Sequence, residues 1–204
     1  MAGSTAKLPS RKIARHRAVV EPVAPPRPYR FSVEDYYRLG ECGILKEDGR
    51  VELIEGEIIM LPPIDFSHAQ GTHRMEKGLE RLLHGKFDVR CQHPVRLSEV
   101  SEPVPDVSIV AQKDYKAHPT PGDIFLIAEV ANSSLREDLD RKKRMYAKAA
   151  IPEYWVLDLN ARELHVFNLP KRGDYTEHRV YSSDEAVHSK TLKAVKIQVA
   201  DLLP

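Results

Sequence analysis

Hydrophobic and polar positions follow a recognisable rhythm from residue 29 onward, and the rhythm changes several times along the chain. Tyr36, Tyr37 and Leu39 follow Ser32, Glu34 and Asp35, which predicts a short helix capped by Ser32, acidic in its first turn and closed by Gly40 or Gly43. The period then becomes two. Val51–Ile54 and Glu57–Leu61 flank Glu55-Gly56 and predict a β-hairpin that Pro62-Pro63 ends. Between Ser67 and His84, Met75, Leu79, Leu82 and Leu83 return to helical spacing, with Gly85 at the expected end. Three strands are predicted next, over 88–97, 106–111 and 124–131, the last almost wholly apolar, as a strand covered on both faces should be. A second helix over 135–149 stops before Ile151-Pro152. Tyr154–Leu157 then reads as a central strand, and a meander continues over 163–167, 175–181 and 194–199. From residue 67 the order is α-β-β-β-α-β, which predicts an α/β chain in which helices pack on a mixed α+β sheet.

Charge changes the picture at the N-terminal end. The chain of 204 residues has a net charge of +1, yet residues 1–30 hold seven basic side chains against Glu21 alone, a local +6 that leaves −5 for the remainder. Five prolines and the lack of any period in that stretch predict a flexible basic, Pro-containing arm over 1–28, ahead of one folded domain over 29–204. Such an arm suits non-specific attraction to phosphate backbones, although solvated basic tails are also common. With 42% hydrophobic and 30% charged residues the domain can close a core. No apolar run is long enough for a bilayer and no secretory stretch is evident, so the expectation is a soluble cytoplasmic protein without a membrane partner. Two cysteines, Cys42 and Cys91, are expected to be reduced and packed.

Nucleotide-binding glycine loops, a Gly-x-Ser-x-Gly elbow and a His-Glu-x-x-His pair are all absent, which removes the commonest nucleotide, serine-hydrolase and zinc-protease chemistries. What remains is acid in costly places. Glu129 interrupts the most apolar strand and needs a partner, and Asp106 opens the strand before it, so pairing of the two strands would bring both carboxylates to one point. Two such charges about 4 Å apart repel by roughly 4 kcal/mol at an effective dielectric near 20, which a divalent cation or a shared proton would relieve. Oxygen ligands favour Mg2+ or Mn2+ over zinc. Asp138, Lys142 and Tyr146 fall at i, i+4 and i+8 and share one helix face, so Lys142 can be aimed at that point. Taken alone, Asp138 and Lys142 also suit an ordinary solvated pair. Residues 136–148 hold six basic and three acidic side chains, a local +3 that fits either a bound polyanion or a wet helix face.

The ordered series Pro105-Asp106, Glu129-Val130, Ser133-Ser134-Leu135, Asp138, Lys142, Tyr146-Ala147 and Ile151-Pro152-Glu153-Tyr154-Trp155 resembles the Uma-type family of the PD-(D/E)xK, or restriction-endonuclease-like, superfamily. Gly43-Ile44-Leu45, Arg50–Glu57, His68 and Gln92-His93-Pro94-Val95 extend the resemblance upstream, so that it covers roughly residues 28–160. It implies a restriction-endonuclease-like core preceded by a helix and hairpin and followed by the meander. The activity implied is a Mg2+- or Mn2+-dependent endonuclease acting on DNA, working as a homodimer. Asp106 and Glu129 would bind the metal with the Val130 carbonyl, and Lys142 would activate or position the attacking water. At residue 131, where the superfamily's Glu-x-Lys places lysine, this chain has Ala131, and Lys142 takes the matching migrated position. Glu52 matches an additional acid, or is a solvent-facing hairpin residue. His68 matches a residue that would touch phosphate or hold Glu52, or simply caps its helix. Tyr146 would pack and support Lys142 or Asp138, and Trp155 would lie in the core. The alternative is a nucleic-acid-binding module with the same fold and little or no cleavage.

Overall fold

The computed structural model describes residue 3, residues 27–46 and residues 49–204. The arm expected over 1–28 falls almost entirely outside the described residues. Ser32 caps α1 (Val33–Glu41) in a reciprocal capping box with Asp35, each side chain serving the other's backbone amide. β1 (Val51–Ile54) and β2 (Glu57–Met60) form the hairpin, turning at Glu55-Gly56, both at positive φ. Asp65 caps α2 (Phe66–Leu83), and His84, rather than Gly85 alone, enters the left-handed region at its end.

A six-stranded sheet of order β3-β4-β5-β6-β7-β8 carries the fold: β3 (Phe87–Cys91), β4 (Val107–Ala111), β5 (Ile124–Ala131), β6 (Glu153–Asp158), β7 (Glu163–Lys171) and β8 (Asp174–Ser182). Only β5 and β6 run parallel, as the helical crossover between them requires. That crossover is not one regular helix. It consists of α3 (Leu135–Glu137), a π-helical turn over Asp138–Lys142, and α4 (Lys143–Lys148). The strand expected over 88–97 stops at Cys91, where Gln92 takes a positive φ, and residues 92–105 continue as an irregular hairpin in which the Val95 amide donates to the Pro103 carbonyl and the Leu97 amide to the Ser101 carbonyl. The last part of the expected meander is separate too. β9 (Ala186–His188) pairs with β10 (Lys196–Gln198) in its own two-stranded sheet, and α5 (Val199–Leu202) follows.

Each face of the main sheet buries its own apolar layer. Met75, Leu79 and Leu83 of α2 pack with Trp155, Val187 and Leu202 on one side, while Ile54, Val95, Tyr146, Tyr154 and Phe167 fill the other. Gly71 lets α2 approach closely behind the end of β5, since a Cβ there would sit 3.0 Å from Val130 Cγ1. Cys91 is half-buried, but Cys42 is exposed at the end of α1, contrary to the expectation that both are packed. No helix of the described residues is long and apolar enough to cross a membrane.

On β7 and β8, His165 Nδ1 lies 3.1 Å from His178 Nε2, and the His178 ring stacks on Phe167 at 4.2 Å. One ring must donate and the other accept, so the two rings cannot both be protonated while this bond is kept. Burial holds both rings below the ordinary histidine value of 6.5, with the His165 ring and Lys143 adding to the effect at His178. Depressed in the fold, these groups contribute stability that is present above 6.5 and is lost as the pH falls through their folded values. Urea denaturation at about pH 7.5 and about pH 5.5 is expected to show a larger loss on acidification in the parent protein than in His178→Asn.

Candidate active site

Four acids and one ammonium meet where β5 ends. Glu129 sits on the β5 face turned toward α4, in a strand of otherwise apolar residues, and is 2% exposed. β4 pairs beside it with Val107 opposite Ala128, which sets Asp106 next to Glu129 across the strands. The Asp106 amide lies 3.4 Å from Glu129 Oε2, and the Val130 amide donates to Asp106 Oδ2 at 2.8 Å. The expected juxtaposition of the two carboxylates is therefore present, and it follows from register rather than from side-chain reach.

Lys142 comes from the crossover. Its Nζ lies 3.1 Å from Glu129 Oε1, 3.6 Å from Glu52 Oε1 and 3.9 Å from Asp138 Oδ1. The π turn widens the helix by one residue just where this side chain must enter the pocket. Glu52 is not a solvent-facing hairpin residue: it is 1% exposed and accepts the Val104 amide at 3.1 Å. Tyr146 does not support Lys142 or Asp138. Its hydroxyl donates to Glu129 Oε1 at 2.7 Å, while the Ser134 hydroxyl donates to Asp138 at 2.6 Å. His68, at the start of α2, holds Asp106 rather than Glu52, with Nε2 3.1 Å from Oδ2. Trp155 is in the core, as expected.

Burial sets the electrostatics. It pushes the Glu129 carboxyl well above the ordinary carboxylate range, against the pull of Lys142, and Asp106, Asp138 and Glu52 push the same way. Asp138 is raised to about 6, again by burial first, with Lys142 and the Ser134 hydroxyl opposing. Burial acts against the charge on Lys142, but Glu129, Glu52 and Asp138 together outweigh it and hold the ammonium above its usual value. At Asp106 burial is likewise outweighed, by the hydrogen bond and charge of His68 and by the Val130 amide, and the carboxyl is held low. His68 is raised by its bond to Asp106 in spite of partial burial.

Besides Lys142, four of the helix cations that suggested a polyanion patch are paired with nearby acids, while Arg136 is exposed. Arg141 binds Glu57 at 2.8 Å, Lys143 binds Asp174 at 2.9 Å, Arg144 pairs with Asp140, and Lys148 pairs with Glu55. Asn132, which lines the pocket, is not singled out by the sequence, and Gln92 stands there only in a family-like segment with no role at the site. Gln92 places its amide 3.4 Å from Asp106 Oδ1, and Asn132 donates to the α2 cap Asp65 at 2.8 Å. A lone amide after a strand carries no signal of its own; the positive φ that aims Gln92 is visible only in three dimensions.

The donor set suits a hard divalent ion. Asp106 Oδ1 and Glu129 Oε2 have only long contacts, and an extended residue presents its N–H and C=O to the same side, so the Val130 carbonyl faces the Asp106 side as its amide does. Among the described residues no three His, Cys, Asp or Glu side chains are arranged as a complete ligand set, since Lys142 stands among the acids. Mg2+ commonly takes one or two carboxylates and completes its shell with water and phosphate, so two acids are a sufficient start.

Over residues 33–200 the chain matches the model of the Uma2 family, described as "Putative restriction endonuclease". It also resembles a solved structure from Anabaena variabilis ATCC 29413, described as a putative nuclease belonging to DUF820, with a TM-score of 0.66 over 84% of this chain and 97% of that one. At 14% identity that likeness is one of fold. No curated protein matches the chain. The family match runs from the capped first helix to the last one and spans Glu52, Asp106, Glu129 and Lys142, and the chain belongs to the Uma2 family of restriction-endonuclease-like nucleases.

Proposed function

We propose that this protein is a metal-dependent endonuclease that hydrolyses backbone phosphodiesters of DNA. The observation that carries the reading is the Lys142 ammonium 3.1 Å from Glu129, in a pocket where Asp106 and Glu129 meet across paired strands. Asp106, Glu129 and the Val130 carbonyl would hold Mg2+ or Mn2+, which supplies Lewis-acid stabilisation of the charge that grows on the phosphate. Lys142 orients the attacking water by a hydrogen bond and offsets the same charge from the other side. Tyr146 and Glu52 are positioning residues: the first fixes Glu129 by its hydroxyl, and the second holds the ammonium from the hairpin. His68 keeps Asp106 ionised and oriented.

The test is cleavage of supercoiled and linear DNA by the purified protein with Mg2+, Mn2+ or chelator, beside Asp106→Asn and Lys142→Ala checked for fold by circular dichroism. Nicking by the parent that requires metal, and that falls at least about a hundredfold in both variants, is the expected result. Equal activity in all three would mean a contaminant. Binding without cleavage would favour the nucleic-acid-binding module instead.

A further inference from the structure

The reacting groups lie at the bottom of a cavity of about 260 Å³, with Asp106 7%, Glu129 2% and Lys142 7% exposed. One wall of that cavity is the segment from β2 to the start of α2, and it is apolar where it meets solvent. Met60 and Ile64 line the cavity while being 83% and 39% exposed, and Phe66, two residues beyond Ile64, is 77% exposed. Burying such side chains is the usual gain of folding, and these three stay open within seven residues of chain, two of them in the cavity wall beside the buried acids, where they are available for contact with something flat and apolar. The charge around the cavity offers little grip on a phosphate backbone, paired or unpaired, so the apolar contact and the access must carry the choice. Arg50 and Lys142 are its only Lys or Arg linings among the described residues, against six carboxylates. Arg50 is bonded to the Pro62 carbonyl and Lys142 to the acids.

A continuous duplex is gripped chiefly by neutralising several phosphates at once, and it keeps its phosphates on a stiff outer surface. The reacting groups, no more than 7% exposed at the bottom of the cavity, are out of reach of that stiff surface. An unpaired strand has the freedom to lower a single phosphate onto buried groups, and its bases expose faces that stack on apolar and aromatic side chains. Resting on the nuclease reading above, we infer that the substrate is nucleic acid with an unpaired stretch, and that Met60, Ile64 and Phe66 hold a base next to the phosphate under attack.

The experiment uses one labelled sequence as single strand, as full duplex and as duplex with a short single-stranded gap, with Mn2+, for the parent protein and for the Met60→Ser/Phe66→Ala double variant. Anisotropy of the same oligonucleotides in chelator is the second readout. Cleavage of the single strand and of the gap at least about tenfold faster than duplex is expected, with the double variant losing about tenfold on the single strand, mainly in KM. Duplex cut as fast as single strand, or a single-strand rate untouched in the double variant, would overturn the inference while leaving the nuclease reading in place. Cleavage of none of the three would overturn the nuclease reading. In that event anisotropy decides: single strand bound more tightly than duplex, and weakened in the double variant, upholds the base-holding lip, and equal binding removes it.

Discussion

Lys142→Met is expected to lower the unfolding free energy by about 3–5 kcal/mol, the range seen when one partner of a buried charge cluster is removed and the others stay. The substitution keeps the volume of the side chain and deletes its charge, leaving Glu129, Glu52 and Asp138, each no more than 2% exposed, without the ammonium that faces all three. The deficit also has a pH signature. Asp138 is raised in the fold to about 6 from an ordinary 3.8, so its contribution is fully present below about 4 and is lost as the pH rises through about 6. Removing the cation raises the neighbouring acids further, so the deficit of Lys142→Met is largest at pH 8 and shrinks toward pH 5. Urea denaturation in chelator at both pH values measures it. Adding Glu129→Gln to Lys142→Met should recover part of the loss, whereas a deficit independent of pH would mean that packing, not charge, holds this lysine in place.

The second large effect lies outside the pocket, at Glu153. This carboxylate opens β6 fully buried and accepts three hydrogen bonds: from Trp155 Nε1 at 2.8 Å, Ser189 Oγ at 2.7 Å and the Thr191 amide at 3.0 Å. It ties the turn between β9 and β10 to the middle of the main sheet. Glu153→Ala strands two buried donors, on Trp155 and Ser189, and the half-buried Thr191 amide, and is expected to cost about 2–4 kcal/mol. Glu153→Gln keeps one acceptor oxygen and should cost about half as much. Hydrogen exchange at the Thr191 amide separates local release from global loss, because in Glu153→Ala that amide should exchange faster than the amides of β5. Unchanged protection at Thr191 would remove Glu153 from this role.

How far these features can be seen without coordinates depends on their range. β5 is legible to the residue, because eight nearly unbroken apolar positions around one acid allow only a buried strand. The meeting of Asp106 and Glu129 is legible as far as the end of the sheet at which it falls, because both acids stand at the same mouth of adjacent antiparallel strands, while the register that puts them side by side comes from the pairing itself. The breaks are not legible. Gln92 ends β3 through a positive φ that glutamine's own propensities do not announce, and the π turn over Asp138–Lys142 leaves the apolar spacing of its helix nearly unchanged. Three cations of that helix, Arg141, Lys143 and Lys148, are paired with Glu57, Asp174 and Glu55, which come from segments distant in the chain. Glu153 was open to the argument that singled out Glu129, an acid set in an apolar strand. One partner, Trp155, is only two residues on, but the two that tie it to the β9–β10 turn lie 36 and 38 residues away, beyond what the local sequence announces.

Delivering the lysine from the helical crossover rather than from position 131 has a consequence for how this site fails. A lysine on β5 would be lost only when the sheet itself opens. Carried on a short, irregular segment of three helical pieces, Lys142 is instead subject to whatever partial opening that segment undergoes by itself. Competence and global stability are thereby separable. With Lys142 in its proposed role, warming or mild denaturant should extinguish cleavage while β4, β5 and β6 still protect their amides, and loss of cleavage that coincides with melting would remove this separation.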